Sequence, residues 1–211
     1  MASTRQRIFL IRHGETEFNR MGVFRGRYEV GLNERGRSQA GEIARSLKVE
    51  DIGFLISGPL SRARETAGII AEELAIQYRI DQAFDNIDLG SWQGVPKDRV
   101  QREYPELWRR WTMEPERLRV PGGETVEEVR ERAFKGLEDV LSHERRSFGI
   151  VTHRSVLKGL AASILNVPAP WFWKFYIDNA AYSIFEYDQS GYTLVKWNSN
   201  AHLSERVEEI F

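Results

Sequence analysis

The chain has 211 residues, 41% apolar and 29% charged, with a formal net charge of −1 and no cysteine. That size and mixture suit a folded domain with its own core, and the charge balance argues against a nucleic-acid partner. The lack of cysteine excludes disulfides, a thiolate nucleophile and cysteine-ligated zinc or iron–sulfur sites, as fits a reducing compartment.

The polar start, Met1 to Gln6, leads into Ile8-Phe9-Leu10-Ile11 and then Arg12. That apolar run is too short for a signal peptide, and no later stretch approaches a membrane span. A cytoplasmic protein with no membrane association is expected. Arg7 to Ile11 reads as a short buried strand, and Gly14 to Asn33 as a loop. A helix follows from Asn33 or Glu34 to Leu47, with Ala40, Ile43, Ala44 and Leu47 on one face. Phe54-Leu55-Ile56 is a second strand, broken by Gly58-Pro59, and Ser61 to Leu74 a second helix. Residues 78–96 read as irregular chain with one strand at most, and 97–113 as one or two short helices rich in Trp and Arg. Pro121-Gly122-Gly123 marks a loop. Glu124 or Thr125 then opens a helix to His143, Phe148 to Thr152 is a strand, and His153 to Leu165 is a helix. A hairpin closes the chain, its strands 181–187 and 192–197 joined at Gln189-Ser190-Gly191. This alternation predicts a single domain over 1–211: a three-layer α/β/α sandwich with a mostly parallel sheet and one antiparallel edge strand.

Three basic clusters follow predicted strands: Arg12-His13, Ser57 through Arg62, and His153-Arg154. Open parallel sheets bind ligands beyond their strands' carboxyl ends. Two histidines and several arginines meeting there would make an anion pocket, and phosphate suits the planar guanidinium fork.

The stretch Leu10-Ile11-Arg12-His13-Gly14-Glu15-Thr16-Glu17-Phe18-Asn19 resembles the signature of the histidine phosphatase superfamily, which includes phosphoglycerate mutases. The blocks from Gly26 to Ala40, Ser57 to Ala67, Pro121 to Thr125 and Val151 to His153 resemble the family's in order and spacing, as does the ending Trp197-Asn198 with His202-Leu203. The resemblance implies a phosphomonoesterase acting on a small phosphorylated metabolite without metal or other cofactor. His13 would be the nucleophile, and Arg12, Arg62 and His153 would keep it neutral and stabilise the transferring phosphoryl group. Asn19, Arg25 and Gly26 fall where family members line the substrate pocket. Glu15 reads as a structural ion-pair partner and Thr16 as a backbone-bonded loop residue.

Two positions depart from the family. Asn86 occupies the place of the usual acidic proton donor, leaving Asp85 or Asp88 as candidate replacements. Arg154 stands where many relatives carry Gly, which with Arg25 suggests a second anionic group on the substrate. Segment 92–120, holding Trp92, Trp108 and Trp111, is expected to cover the pocket as a helical insertion, with at least two of its three Trp in ordinary packing. The aromatic cluster Trp171 to Tyr176 is either core or a homodimer contact. Leu89, where mutases resemble one another in carrying Tyr, favours a phosphatase over a mutase. Asn86 leaves a damped phospholigand-binding protein as a further alternative.

Overall fold

In a computed structural model, residues 5–205 are described. Residues 1–4 and 206–211, the ends of the expected domain and most of its polar start, lie outside them. Six strands form one sheet: β1 (Gln6–Arg12), β2 (Phe54–Ser57), β3 (Gln77–Ile80), β4 (Phe148–Thr152), β5 (Tyr182–Asp188) and β6 (Gly191–Ser199), in the order β3-β2-β4-β1-β5-β6. β1 to β4 pair in parallel, while β5 runs against both β1 and β6. The expected antiparallel strand is therefore present but is not the edge. A tight hairpin returns immediately, so β6 lies outside β5 and runs with the parallel set.

Side-chain alternation along the strands builds the layers. Ile8 and Leu10 of β1, with Phe148 and Ile150 of β4, join a core that includes Val129, Ala133 and Leu137 of α6 (Val126–His143) and Val156, Leu157 and Leu160 of α7 (Arg154–Ile164). Phe9 and Ile11 point the other way, into a core with Ile43, Ala44 and Leu47 of α2 (Glu34–Leu47) and Ala67 and Ile70 of α3 (Ser61–Leu74). This is the three-layer α/β/α sandwich. α2 starts on the Asn33 side chain, which accepts from Gly36 N, and α6 starts on a Thr125–Glu128 capping box.

Two elements escape the hydrophobic pattern. The loop 14–33 contains a one-turn helix, α1 (Glu17–Arg20), and β3 is exposed at all four positions. Both are too short or too polar to show a period. The segment 97–113 is two helices, α4 (Lys97–Glu103) and α5 (Pro105–Met113), broken at Tyr104-Pro105.

Where the chain leaves β1, its backbone presses against the start of α2. A Cβ on Gly36 would lie 2.1 Å from the Glu15 carbonyl oxygen, and one on Gly14 would lie 2.3 Å from that of Gly36. Backbone cannot yield as a side-chain end can. Gly36→Ala is expected to destabilise the protein by about 1–3 kcal/mol and to lower turnover by shifting the strand β1 exit. Urea denaturation and an activity assay on the same preparation check both.

Candidate active site

The sheet register assembles the site. Arg12 pairs with Thr152 on neighbouring parallel strands, so the next residues, His13 and His153, leave the carboxyl edge side by side. His13 N donates to Thr152 O at 3.0 Å, and the imidazole centroids are 5.1 Å apart with the rings tilted by 60°. Both histidines are buried. His13 Nδ1 lies 2.7 Å from Gly14 O. A carbonyl only accepts, so Nδ1 carries the proton and Nε2 keeps its lone pair. His153 is the N-cap residue of α7, and neither of its buried ring nitrogens has a hydrogen-bond partner among the described residues.

Two buried guanidinium groups flank the histidines. Arg12, the last residue of β1, donates through Nη1 to Ile177 O at 2.8 Å. Arg62, in the first turn of α3, donates through Nη1 to Tyr28 O and through Nη2 to Gly26 O, each at 2.9 Å. Its Nε is buried without a partner. Gly26 has φ +50, and its carbonyl also accepts from Asn86 Nδ2 at 2.7 Å. The carbonyls that accept from Arg62 carry no opposing net charge.

That charge sets the protonation states. Burial first, then the charges of Arg62 and Arg12, holds the His13 pKa well below the usual imidazole value. Burial and Arg62 do the same to His153. Arg62 itself is pushed down to about 9, by burial and then by Arg25. All three groups would gain from an arriving anion.

The histidines open into a cavity of about 370 Å³. Arg12, Arg25, Lys97 and Arg154 line it on the charged side, with Asn86 and Ser155 between. Val23, Phe24, Ile87, Leu89, Trp108, Trp111, Phe172 and Trp173 supply its apolar wall. From segment 92–120, α4 and α5 contribute Lys97, Trp108, Trp111 and Thr112 to the lining. Trp92 is fully buried behind them, with its ring 5.0 Å from Phe24 and 6.2 Å from Trp111.

Most of the predicted residues converge. His13, Arg12, His153, Asn86, Arg25, Gly26 and Arg154 line the cavity, and Arg62 lies close enough to dominate the charge felt by both histidines. Asn19 does not line it. Its Oδ1 accepts from Thr16 N and Oγ1, and its Nδ2 donates to Asn179 Oδ1, so it braces the turn after His13. Glu15 is buried and accepts from Asn33 Nδ2 at 2.7 Å, alongside the α2 N-terminus. Asp85 and Asp88 face Arg27 and do not line the cavity. Asp85 accepts Asn86 N at 2.7 Å and pairs with Arg27 Nε at 3.1 Å, while Asp88 accepts Gly90 N and lies 3.9 Å from Arg27 Nη1. Burial pushes the Asp85 pKa up, against the pull of Arg27.

Several contributors gave no sequence signal. Ser155 donates to Asn86 Oδ1 at 2.8 Å. Arg132 of α6 reaches across to the carbonyls of Ala83, Asp85 and Asn86 and to Glu124, clamping the loop that carries Asn86. Buried Glu116 accepts from the backbone N–H of both Trp171 and Phe172, at 2.6 and 2.8 Å, and so fixes the aromatic segment that ends in the cavity wall. Lys158 lies 4.4 Å from the Phe172 ring centroid and 4.8 Å from that of Trp173. These contacts cross the fold between distant segments, which a linear pattern does not display.

Residues 8–200 match the histidine phosphatase superfamily, branch 1, and the chain belongs to that family. It is 33% identical over 200 residues to phosphoserine phosphatase 1 of Hydrogenobacter thermophilus, covering 94% of this chain and 95% of that protein. It is 31% identical to a bifunctional protein of Mycobacterium tuberculosis, covering 92% of this chain but only 53% of that one, about half its length. The native structure of a mycobacterial glucosyl-3-phosphoglycerate phosphatase superposes with a TM-score of 0.85 at 25% identity, covering 93% of this chain and all of that one.

The depressed imidazole pKa values link pH to stability. The unfolded chain takes up protons near pH 6.5 that the folded histidines refuse. Their contribution is complete above about pH 6.5 and is lost as pH falls through the folded values, at up to about 1.4 kcal/mol per pH unit for each group. Urea denaturation in phosphate-free buffer between pH 7.5 and 5 should show this loss, with His153→Gln flattening it. An unchanged slope in that variant would contradict the assignment.

Proposed function

We propose that the protein is a metal-independent phosphomonoesterase that works through a phosphohistidine on His13. The observation that carries this reading is the His13 side chain itself: a buried neutral imidazole, its Nδ1 proton held by Gly14 O, with Nε2 available beside two guanidinium groups and a second imidazole. Nucleophilic attack needs that free lone pair.

Nε2 attacks phosphorus, and the ester oxygen departs with the P–O electron pair. Arg12, Arg62 and His153 stabilise charge on the non-bridging oxygens, the electrostatic work that metal ions do elsewhere. The unpartnered Arg62 Nε–H and the single N–H of the neutral His153 ring are donors available for it. Water then attacks phosphorus, the P–N bond breaks, its electron pair returns to Nε2, and phosphate leaves.

The relatives named as phosphatases of phosphoserine and of glucosyl-3-phosphoglycerate support a small phosphorylated metabolite as substrate. The ~370 Å³ cavity falls in the range of small-molecule sites. Arg25 and Arg154 at its lining are assigned to a second anionic group on the substrate.

His13→Ala should abolish phosphate release from esters that the wild type hydrolyses with chelator present, and rapid quenching of the wild type should trap an acid-labile phosphoryl label that His13→Ala lacks. Turnover surviving in His13→Ala would overturn the mechanism. Arg154→Ala should lower kcat/KM for esters bearing a carboxylate or second phosphate by about tenfold or more, the scale of a charge-assisted hydrogen bond, and leave mono-anionic esters nearly unaffected. Equal loss on all esters would remove the second-anion assignment.

A further inference from the structure

We infer that the esters this site is built to hydrolyse are aryl phosphates, whose leaving oxygen needs no proton from the protein. The inference rests on the phosphomonoesterase reading and adds the substrate class to it.

The first ground is the chemistry of the lining. Among the described residues that border the cavity there is no Asp, Glu or Tyr. Asn86 stands nearest this task, and its amide is already a bridge: Oδ1 accepts from Ser155 Oγ at 2.8 Å while Nδ2 donates to Gly26 O at 2.7 Å. An amide can hydrogen-bond a departing oxygen and cannot hand it a proton. The neighbouring carboxylates are committed behind the wall. Asp85 uses one oxygen on Asn86 N and the other on Arg27, and Glu124 holds Arg27 and Arg132. Burial and the surrounding guanidinium groups keep both imidazoles unprotonated.

The second ground is the apolar part of the lining. Phe24, Leu89, Trp108, Trp111, Phe172 and Trp173 line the same cavity as the histidines. Trp111 stands edge-on to Phe24 and to Trp173, with centroids 5.5 and 5.9 Å away. Such a lining favours an aromatic ring by area and by edge-to-face contact.

The two grounds agree on one substrate. When His13 Nε2 bonds to phosphorus and the P–O bond breaks, an aryl oxygen keeps the electron pair as a phenolate and takes its proton from solvent on leaving. An alkoxide is far more basic and needs the proton during the step. General-acid assistance is typically worth about 10²–10⁴-fold, and no carboxyl or phenol among the described lining residues is there to give it to alkyl esters.

The test is a series of phosphomonoesters running from nitrophenyl through phenyl to alkyl alcohols, assayed by phosphate release on the wild type, His13→Ala and Asn86→Glu. Wild-type kcat/KM should fall by about 10²-fold or more from aryl to alkyl esters, and Asn86→Glu should raise alkyl turnover and flatten the series. Circular dichroism confirms that the variant folds, and the wild-type series decides the matter if it does not. Equal wild-type rates on aryl and alkyl esters, abolished by His13→Ala, would overturn the aryl inference alone and point to a proton donor such as Lys97. A steep series left steep by folded Asn86→Glu would also overturn it, by showing that the slope does not arise from a missing acid. Aryl turnover that survives in His13→Ala, or no turnover on any ester, would overturn the underlying reading as well.

Discussion

Like charge held out of water is the constraint on which the active site depends. Arg12 and Arg62 are buried beside two histidines, and hydrogen bonds from them reach backbone carbonyls at Ile177, Tyr28 and Gly26. A carbonyl dipole accepts from a guanidinium without cancelling its charge, unlike a carboxylate in a salt bridge. The cluster therefore stays electropositive and repels protons from the imidazoles. It is a stressed arrangement that an anion such as phosphate would relieve, and the same stress keeps His13 unprotonated.

Such an arrangement needs a stiff frame. Parallel pairing of β1 with β4 places His13 and His153 together, and the second residue of each pair of contacts is backbone: Thr152 O, Ala180 N, Gly14 O. Glycine permits the close approach of the His13 turn to α2, since neither Gly14 nor Gly36 has room for a Cβ. On the far side, Arg132 and Glu124 gather the 83–88 loop, and Glu124 N donates to Asp88 O at 2.9 Å. The Pro121-Gly122-Gly123-Glu124-Thr125 block thus serves the site from a distance, by fixing the loop that carries Asn86.

The cavity has two chemically distinct sides. Its charged side is suited to the phosphoryl group that every phosphomonoester shares. Its apolar side comes from Trp108 and Trp111 of α5 and from Phe172 and Trp173, together with Val23, Phe24, Ile87 and Leu89. Glu116 ties the segment after α5 to the aromatic one through Trp171 N and Phe172 N, so these two parts of the lining are mechanically coupled. Among the described residues no helix is long and apolar enough to cross a membrane.

The sequence by itself determined the strands β1, β2 and β4, the four long helices and the residues at the strand ends, because alternation, helical period and local breakers are short-range signals. From those ends the meeting of His13, Arg12, Arg62 and His153 was legible, since parallel α/β connections carry strand termini to one edge. The exposed strand β3, the single turn α1 and the inner place of β5 were not, because they depend on pairing and not on period. Only the tertiary structure decided that Asp85 and Asp88 turn to Arg27, that Ser155 and Gly26 hold Asn86, and that Phe172 and Trp173 line the cavity. Each of those outcomes turns on which distant backbone group lies within about 3 Å of a side chain, a distance set by packing between segments far apart in the chain.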